Sequence, residues 1–165
     1  MPTEPEDFYF ADKIGMIREL FLEDDYRAGI EAASVLKNNL CEAREREKYY
    51  CDICKLMGLG YRKWKKPQRA FSVLREADRF AKNMYEKTND DKWIIEQAIV
   101  SVNIGAVYFS VGAYQEALDV FFNTLPIFEH KNDRKHIIML YQSIAETQAA
   151  LGDIDSAEST MEILK

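Results

Sequence analysis

The stretch that decides the fold is residues 104–121, which read IGAVYFSVGAYQEALDVF. Gly105 and Ala117 are small, which suits the point where two helices cross closely, and the Phe121 ring lies one helical turn beyond Ala117. Gly112 stands between the two halves, where a first helix has to stop and the chain has to turn. The stretch therefore predicts two antiparallel helices joined by a tight turn.

Three further segments of the chain repeat this pattern more weakly. The leading large residues of the four repeats are Met16, Met57, Ile104 and Ile144, which are 41, 47 and 40 residues apart. In the second repeat Lys65 takes the place of the turn glycine. A generic helical bundle with small residues at its crossings is the alternative, but four segments in one register favour a repeat protein.

The spacing Ile-Gly-x-x-Tyr followed by Gly-x-Tyr-x-x-Ala-x-x-x-Phe resembles the tetratricopeptide repeat (TPR) signature. The standard repeat has about 34 residues, so the chain resembles the long-unit type of about 40 residues, as in kinesin light chains, spindle-orientation adaptors and bacterial peptide-sensing regulators. The resemblance implies an all-α fold, an α-solenoid of about four antiparallel helix hairpins wound as a right-handed superhelix. It also implies that the first helices line a concave groove that binds a peptide or helix.

We expect one TPR-like domain over residues 1–165, alone or as part of a longer protein, with repeats near 8–43, 44–90, 91–133 and 134–165. The eight helices are expected near residues 8–23, 26–40, 44–64, 67–88, 92–111, 114–130, 134–151 and 154–165. Pro126 falls inside the sixth helix and predicts a kink or an early end there.

Composition and charge narrow the classes of partner. The chain is 47% hydrophobic with 7 Gly and 4 Pro, which suits a packed helical domain. It contains no run of 18 apolar residues, so no membrane span is expected. The net charge of −6 argues against broad nucleic-acid contact. One exception is the basic run Arg62–Arg69 around Trp64, which could receive an acidic peptide or a phosphate, although a solvated turn is the favoured interpretation.

No catalytic motif occurs in the sequence, so an enzyme, a cofactor and a metal site are not expected. Cys51 and Cys54 lie one helical turn apart, but without a second pair they read as core thiols of a cytoplasmic protein. His130 and His136 are six residues apart and do not share a helix face, which predicts surface histidines.

The repeat register gives the candidate partner-binding residues of the concave groove: Lys55, Leu59, Arg62, Asn103, Phe109, Gln142 and Glu146. An amide at Asn103 could bond both the N–H and the C=O of an extended peptide, while an Asn that only faces water is an equal alternative. Chaperone-binding TPR proteins use a carboxylate clamp of Lys, Asn and Arg side chains. Lys55 and Asn103 match two of its positions. Leu59, Met139 and Ser143 do not, so capture of a C-terminal Glu-Glu-Val-Asp tail is not expected.

The sequence thus predicts a non-catalytic adaptor or scaffold that binds a protein or peptide. The alternative is a regulatory or oligomerisation segment of a larger sensor or signalling protein. A secretion-system chaperone is a third, less favoured function, because such chaperones usually keep the repeat of about 34 residues. Self-association through the C-terminal helix pair is a further prediction, since few residues are expected to pack over the apolar side chains of Ile154, Met161 and Leu164.

Overall fold

The computed structural model describes the backbone of residues 5–165 and the side chains of residues 8–165. Those residues form eight α-helices and no strand, which confirms the all-α prediction. The helices are α1 (Pro5–Leu22), α2 (Tyr26–Asn38), α3 (Ala43–Lys63), α4 (Pro67–Thr88), α5 (Lys92–Ser110), α6 (Tyr114–His130), α7 (Arg134–Ala150) and α8 (Ile154–Glu162).

Of the two outcomes predicted at Pro126, a kink or an early end, the early end does not occur, because α6 continues to His130. Pro126 is exposed. Proline has no N–H to donate to the carbonyl of Phe122, and Phe122 is itself an exposed residue. Water can therefore take the place of the missing N–H, so one proline does not end the helix.

The chain divides into two compact units, with the boundary inside α4. Unit 1 ends at Phe80 and unit 2 runs from Ala81 to Lys165. Each is described below by itself.

In unit 1, one ring joins three helices because two glycines make room for it. Phe21 of α1 is buried. A Cβ built on Gly29 of α2 would lie 2.3 Å from the Phe21 ring, and one built on Gly60 of α3 would lie 2.4 Å from it. Gly58 of α3 makes room for α4 in the same way, since a Cβ built on it would lie 2.8 Å from the Leu74 side chain. Side chains larger than hydrogen at these positions would push the helices apart.

Unit 2 is built on the corresponding contact between α5 and α6. A Cβ on Gly105 would lie 2.4 Å from the Phe121 ring, as the pairing of small and large residues in the sequence predicts. The buried core around this contact comprises Ala98, Ala117, Leu118, Phe121, Leu125, Phe128, Leu140 and Ile144. Further along, Thr160 of α8 donates a hydrogen bond of 2.7 Å to Gln148 of α7.

Five of the connections between helices share one hydrogen-bonded turn. In the α3–α4 turn the Lys65 N–H bonds the Arg62 carbonyl at 3.1 Å and the Lys66 N–H bonds the Tyr61 carbonyl at 2.8 Å. This pair of bonds is the Schellman motif, whose central residue has a left-handed backbone. The same pair closes the turns at Asp24–Asp25, Gly112–Ala113, Asn132–Asp133 and Gly152–Asp153. Lys65 therefore holds φ at 59° where Gly112 holds 79°.

Replacing Gly105 by Ala tests the close contact with Phe121. We expect the variant to lose about 1–2 kcal/mol of unfolding free energy, because overpacking costs more than the helix propensity that alanine gains. Gly15→Ala is the matched control: the added Cβ meets nothing within 4 Å, so stability should rise by about 0.5–1 kcal/mol. Urea titrations of both variants give the comparison. If Gly105→Ala is as stable as Gly15→Ala, the proposed crossing is wrong.

Replacing Lys65 by Gly tests the turn. The left-handed backbone costs a lysine about 1 kcal/mol that glycine avoids, so Lys65→Gly should raise the melting temperature. The reverse change, Gly112→Ala, should lower it, since Ala would be forced to positive φ. Equal melting temperatures for the Lys65→Gly variant and the parent chain would contradict the turn geometry.

Candidate functional site

Three of the candidate groove residues lie on α3 in unit 1. Lys55, Leu59 and Arg62 follow one another at helical spacing, so they share one face, and all three are half-buried. The Lys55 ammonium pairs with Asp52 at 3.0 Å. Burial lowers the pKa of the Arg62 guanidinium, although the group stays charged at neutral pH. On this face the charge of Lys55 is therefore offset by Asp52, whereas Arg62 keeps its positive charge.

The two candidates on α5 do not share a face. Asn103 and Phe109 are six residues apart, which separates them by about 120° around a helix. Asn103 is half-buried, and its amide nitrogen donates to the Ile99 carbonyl at 2.9 Å, which leaves the amide oxygen for a partner. The Phe109 ring packs against Tyr114 with centroids 5.2 Å apart and against the core of unit 2. Phe109 thus belongs mainly to the α5–α6 hairpin.

The last two candidates, Gln142 and Glu146, are exposed on one face of α7. They line an open groove of about 440 Å³ between α7 and α8. We call it the α7–α8 groove, and its lining is completed by Ala145, Ala149, Ala157, Glu158 and Met161. Its floor is apolar and made mostly of small side chains, so an incoming side chain can approach the two helix backbones closely.

The rim of the α7–α8 groove is acidic. Glu146 and Glu158 face it, and α8 also carries Asp155 and Glu162 but no cation. Such a rim favours a ligand with positive charge beside an apolar group. In the described part of the chain, no three His, Cys, Asp or Glu side chains are placed to hold a metal ion.

A polar pocket in unit 1 was not predicted from the sequence. This α2–α4 pocket has a volume of about 350 Å³. It is lined by Ser34, Lys37, Asn38, Met57, Tyr61, Arg69, Ser72, Val73 and Glu76. Lys37 and Glu76 form an ion pair of 2.8 Å, and they are 39 residues apart in the chain. No local spacing reveals a pair so distant, and the only hint in the sequence is the basic run beside it.

The cysteines and histidines have mainly structural surroundings. Cys51 and Cys54 are buried, as predicted, and burial raises the pKa of the Cys54 thiol to about 12. His130 is exposed, as predicted, whereas His136 is half-buried and so less exposed than predicted. Its ring stacks on Phe128 with centroids 4.7 Å apart and contacts the Asp133 carboxylate at 2.7 Å. Asp133 also caps α7, since its side chain accepts from the His136 backbone N–H.

Within residues 5–165, one helix, α5, is long and apolar enough by composition to cross a membrane. It also packs against α6 and contributes Ala98, Gly105 and Val107 to the buried interior of unit 2. These contacts are typical of a core helix in a helical repeat.

Comparison with known proteins establishes the fold. No protein-family model matches the sequence, and no curated protein matches it. Among solved structures, the chain is similar to the Rap conjugation gene regulator of the plasmid pLS20 in complex with the Phr* peptide. The identity is 16%, the TM-score is 0.76, and the match covers 93% of this chain and 41% of the regulator. The chain thus spans about two fifths of the regulator's length, and it has the all-α, TPR-like helical-repeat fold that its sequence predicts.

Proposed function

We propose that this chain is a non-catalytic module, an adaptor or scaffold, that binds a peptide or helix of a protein partner. The observation that carries the proposal is the α7–α8 groove. It is open, its floor is apolar and its rim is polar. It also contains two residues, Gln142 and Glu146, that the repeat register selects from sequence alone.

The groove suggests the chemistry of the ligand. Its volume of about 440 Å³ lies within the range of about 300–1,000 Å³ that is usual for ligand sites. Alanines on the floor accept one bulky apolar side chain, and Met161 can adjust its shape to it. Because Glu146 and Glu158 flank the groove, the ligand should carry Lys or Arg next to its apolar anchor.

Two further points support a peptide ligand. The Rap regulator that shares this fold is described in complex with a peptide. Helical-repeat folds in general bind partners along extended surfaces made by successive repeats. We propose that Asn103 also contacts the ligand, and that Lys55, Leu59, Arg62 and Phe109 belong to the wider binding surface.

We also propose that the module acts in the cytoplasm and needs no cofactor. Cys41 is exposed, and Cys51 and Cys54 are buried, all as free thiols. Free thiols are typical of a reducing compartment.

Filling the α7–α8 groove tests the proposal. Peptides are first selected from a displayed random library on the immobilised chain, and the tightest is titrated by calorimetry. Selected sequences should share an apolar residue beside Lys or Arg. Ala149→Trp should weaken binding about tenfold or more, because the indole occupies the anchor's place. Ala150→Trp is the matched control, since Ala150 is exposed but does not line the groove. Equal losses in both variants, or none in either, would contradict the proposal.

Removing the Asn103 amide tests its contribution separately. Asn103→Ala should reduce the binding free energy of the selected peptide by about 1–3 kcal/mol, because a desolvated peptide group loses its partner. The melting temperature should change little, since the amide's present bond lies within its own helix. Unchanged affinity would mean that Asn103 only bonds the α5 backbone.

A second candidate function is oligomerisation, which is favoured by exposed apolar side chains on α8 and just after it. Ile154, Met161 and Ile163 are 52%, 41% and 62% exposed, whereas Leu164 is half-buried. If these residues join two copies, light scattering should give a mass above that of the monomer, and Ile154→Asp should return it to the monomer. A monomeric mass for the parent chain at high concentration would exclude this function.

A further inference from the structure

Positive charge is concentrated in one segment of unit 1. Residues 53–75 carry seven Lys or Arg and no Asp or Glu. The rest of the chain has 15 cations against 28 acids. The segment covers the second half of α3, the turn and the first part of α4. In a protein of net charge −6, this segment is where an anion meets the most favourable potential.

The α2–α4 pocket opens beside this segment and is rich in hydrogen-bond donors. Asn38, Tyr61, Arg69 and Ser72 line it from three different helices. Among the described residues, none of these four side chains has a hydrogen-bonded protein partner; Arg69 only lies over the Tyr61 ring, 6.0 Å from its centroid. Four donor residues on three helices therefore line one space of about 350 Å³.

The charge of the one carboxylate that lines the pocket, Glu76, is neutralised by a neighbouring cation. Glu76 accepts from Lys37 at 2.8 Å and from the Tyr50 hydroxyl at 3.2 Å. An ammonium has three N–H donors, so Lys37 keeps two for a ligand. With Lys37 and Glu76 cancelling, the Arg69 guanidinium leaves the pocket with a net positive charge.

These features fit a phosphate group better than a carboxylate. A phosphorylated side chain brings a charge near −2 and three acceptor oxygens, which match the several donors of the pocket and the forked guanidinium of Arg69. The space holds one such group and not an extended chain of them. A nucleic acid or an anionic membrane would also meet the excess of acids on the rest of the protein. We propose that the α2–α4 pocket binds a phosphoserine side chain of a protein partner, at a site separate from the α7–α8 groove.

An NMR titration of the full chain tests this proposal. The probe is a short blocked peptide with one phosphoserine between alanines and glycines, and the backbone amide signals of Asn38 and Ser72 report binding. Both signals should shift in a saturable way. Because the second ionisation of phosphate has a pKa of about 6, the affinity should rise as the pH is increased from about 5 to 7. The same peptide with Glu in place of phosphoserine should bind more weakly and show no such rise.

Two substitutions and one control variant distinguish a specific binding pocket from electrostatic attraction to the basic segment as a whole. Arg69→Gln should weaken binding about tenfold, the value expected for losing a charged hydrogen-bonding pair. Arg75→Gln removes the same charge from the same helix, but Arg75 does not line the pocket, so its effect should be much smaller. Glu76→Gln should tighten binding by removing a like charge. Circular dichroism confirms that each variant is folded.

Several results would overturn the proposal. Equal losses for Arg69→Gln and Arg75→Gln would show attraction to the basic segment and no specific pocket. Inorganic phosphate binding as tightly as the peptide would indicate a site for the free ion. Shifts for single-stranded DNA or for phosphatidylserine vesicles at Asn38 and Ser72, without shifts for the peptide, would assign the surface to another partner. Arg69→Gln should leave the affinity of the α7–α8 groove unchanged, so the two proposals succeed or fail independently.

Discussion

The fold depends on close contact between helix backbones and large side chains, which glycine makes possible. Gly105 admits the Phe121 ring, Gly60 admits the Phe21 ring and Gly58 admits Leu74. Each contact brings a first helix against a neighbouring helix at a distance that any Cβ would prevent. Since every hairpin must bury its apolar face against another helix, these contacts set which residues remain outside to meet a partner.

The connections between helices are also fixed by a recurring backbone geometry. Five of them use one pair of hydrogen bonds around a left-handed residue. That residue is glycine at Gly112 and Gly152, but Asp24, Lys65 and Asn132 adopt the same conformation. A sequence pattern that looks only for glycine therefore misses turns that the backbone hydrogen bonds still form. Four of these turns join the two helices of one repeat, and the fifth, at Asn132, joins one repeat to the next.

The positions of the helices could be predicted because they follow from local spacing. The order of small, turn and large residues seen at Gly105, Gly112 and Phe121 recurs along the chain. The site was less accessible to the same reasoning. The register assigns Lys55 to the concave groove, but its ion pair with Asp52 appears only in the structure. The Lys37–Glu76 pair joins different repeats, so no local pattern contains it. The register assigns Phe109 to the groove, but spacing within one helix does not show that its ring packs against Tyr114 of the next helix.

The two proposed surfaces use opposite charge, and each suits a different kind of ligand group. The α7–α8 groove combines an apolar floor with an acidic rim, whereas the α2–α4 pocket combines polar donors with neighbouring cations. The central claim is that a peptide anchor occupies the α7–α8 groove. Its most direct test is to measure intermolecular NOEs between a selected peptide and the methyl groups of the chain. The account predicts NOEs from the apolar anchor to the methyls of Met161, Ala149 and Ala157; NOEs confined to methyls of unit 1 would contradict it.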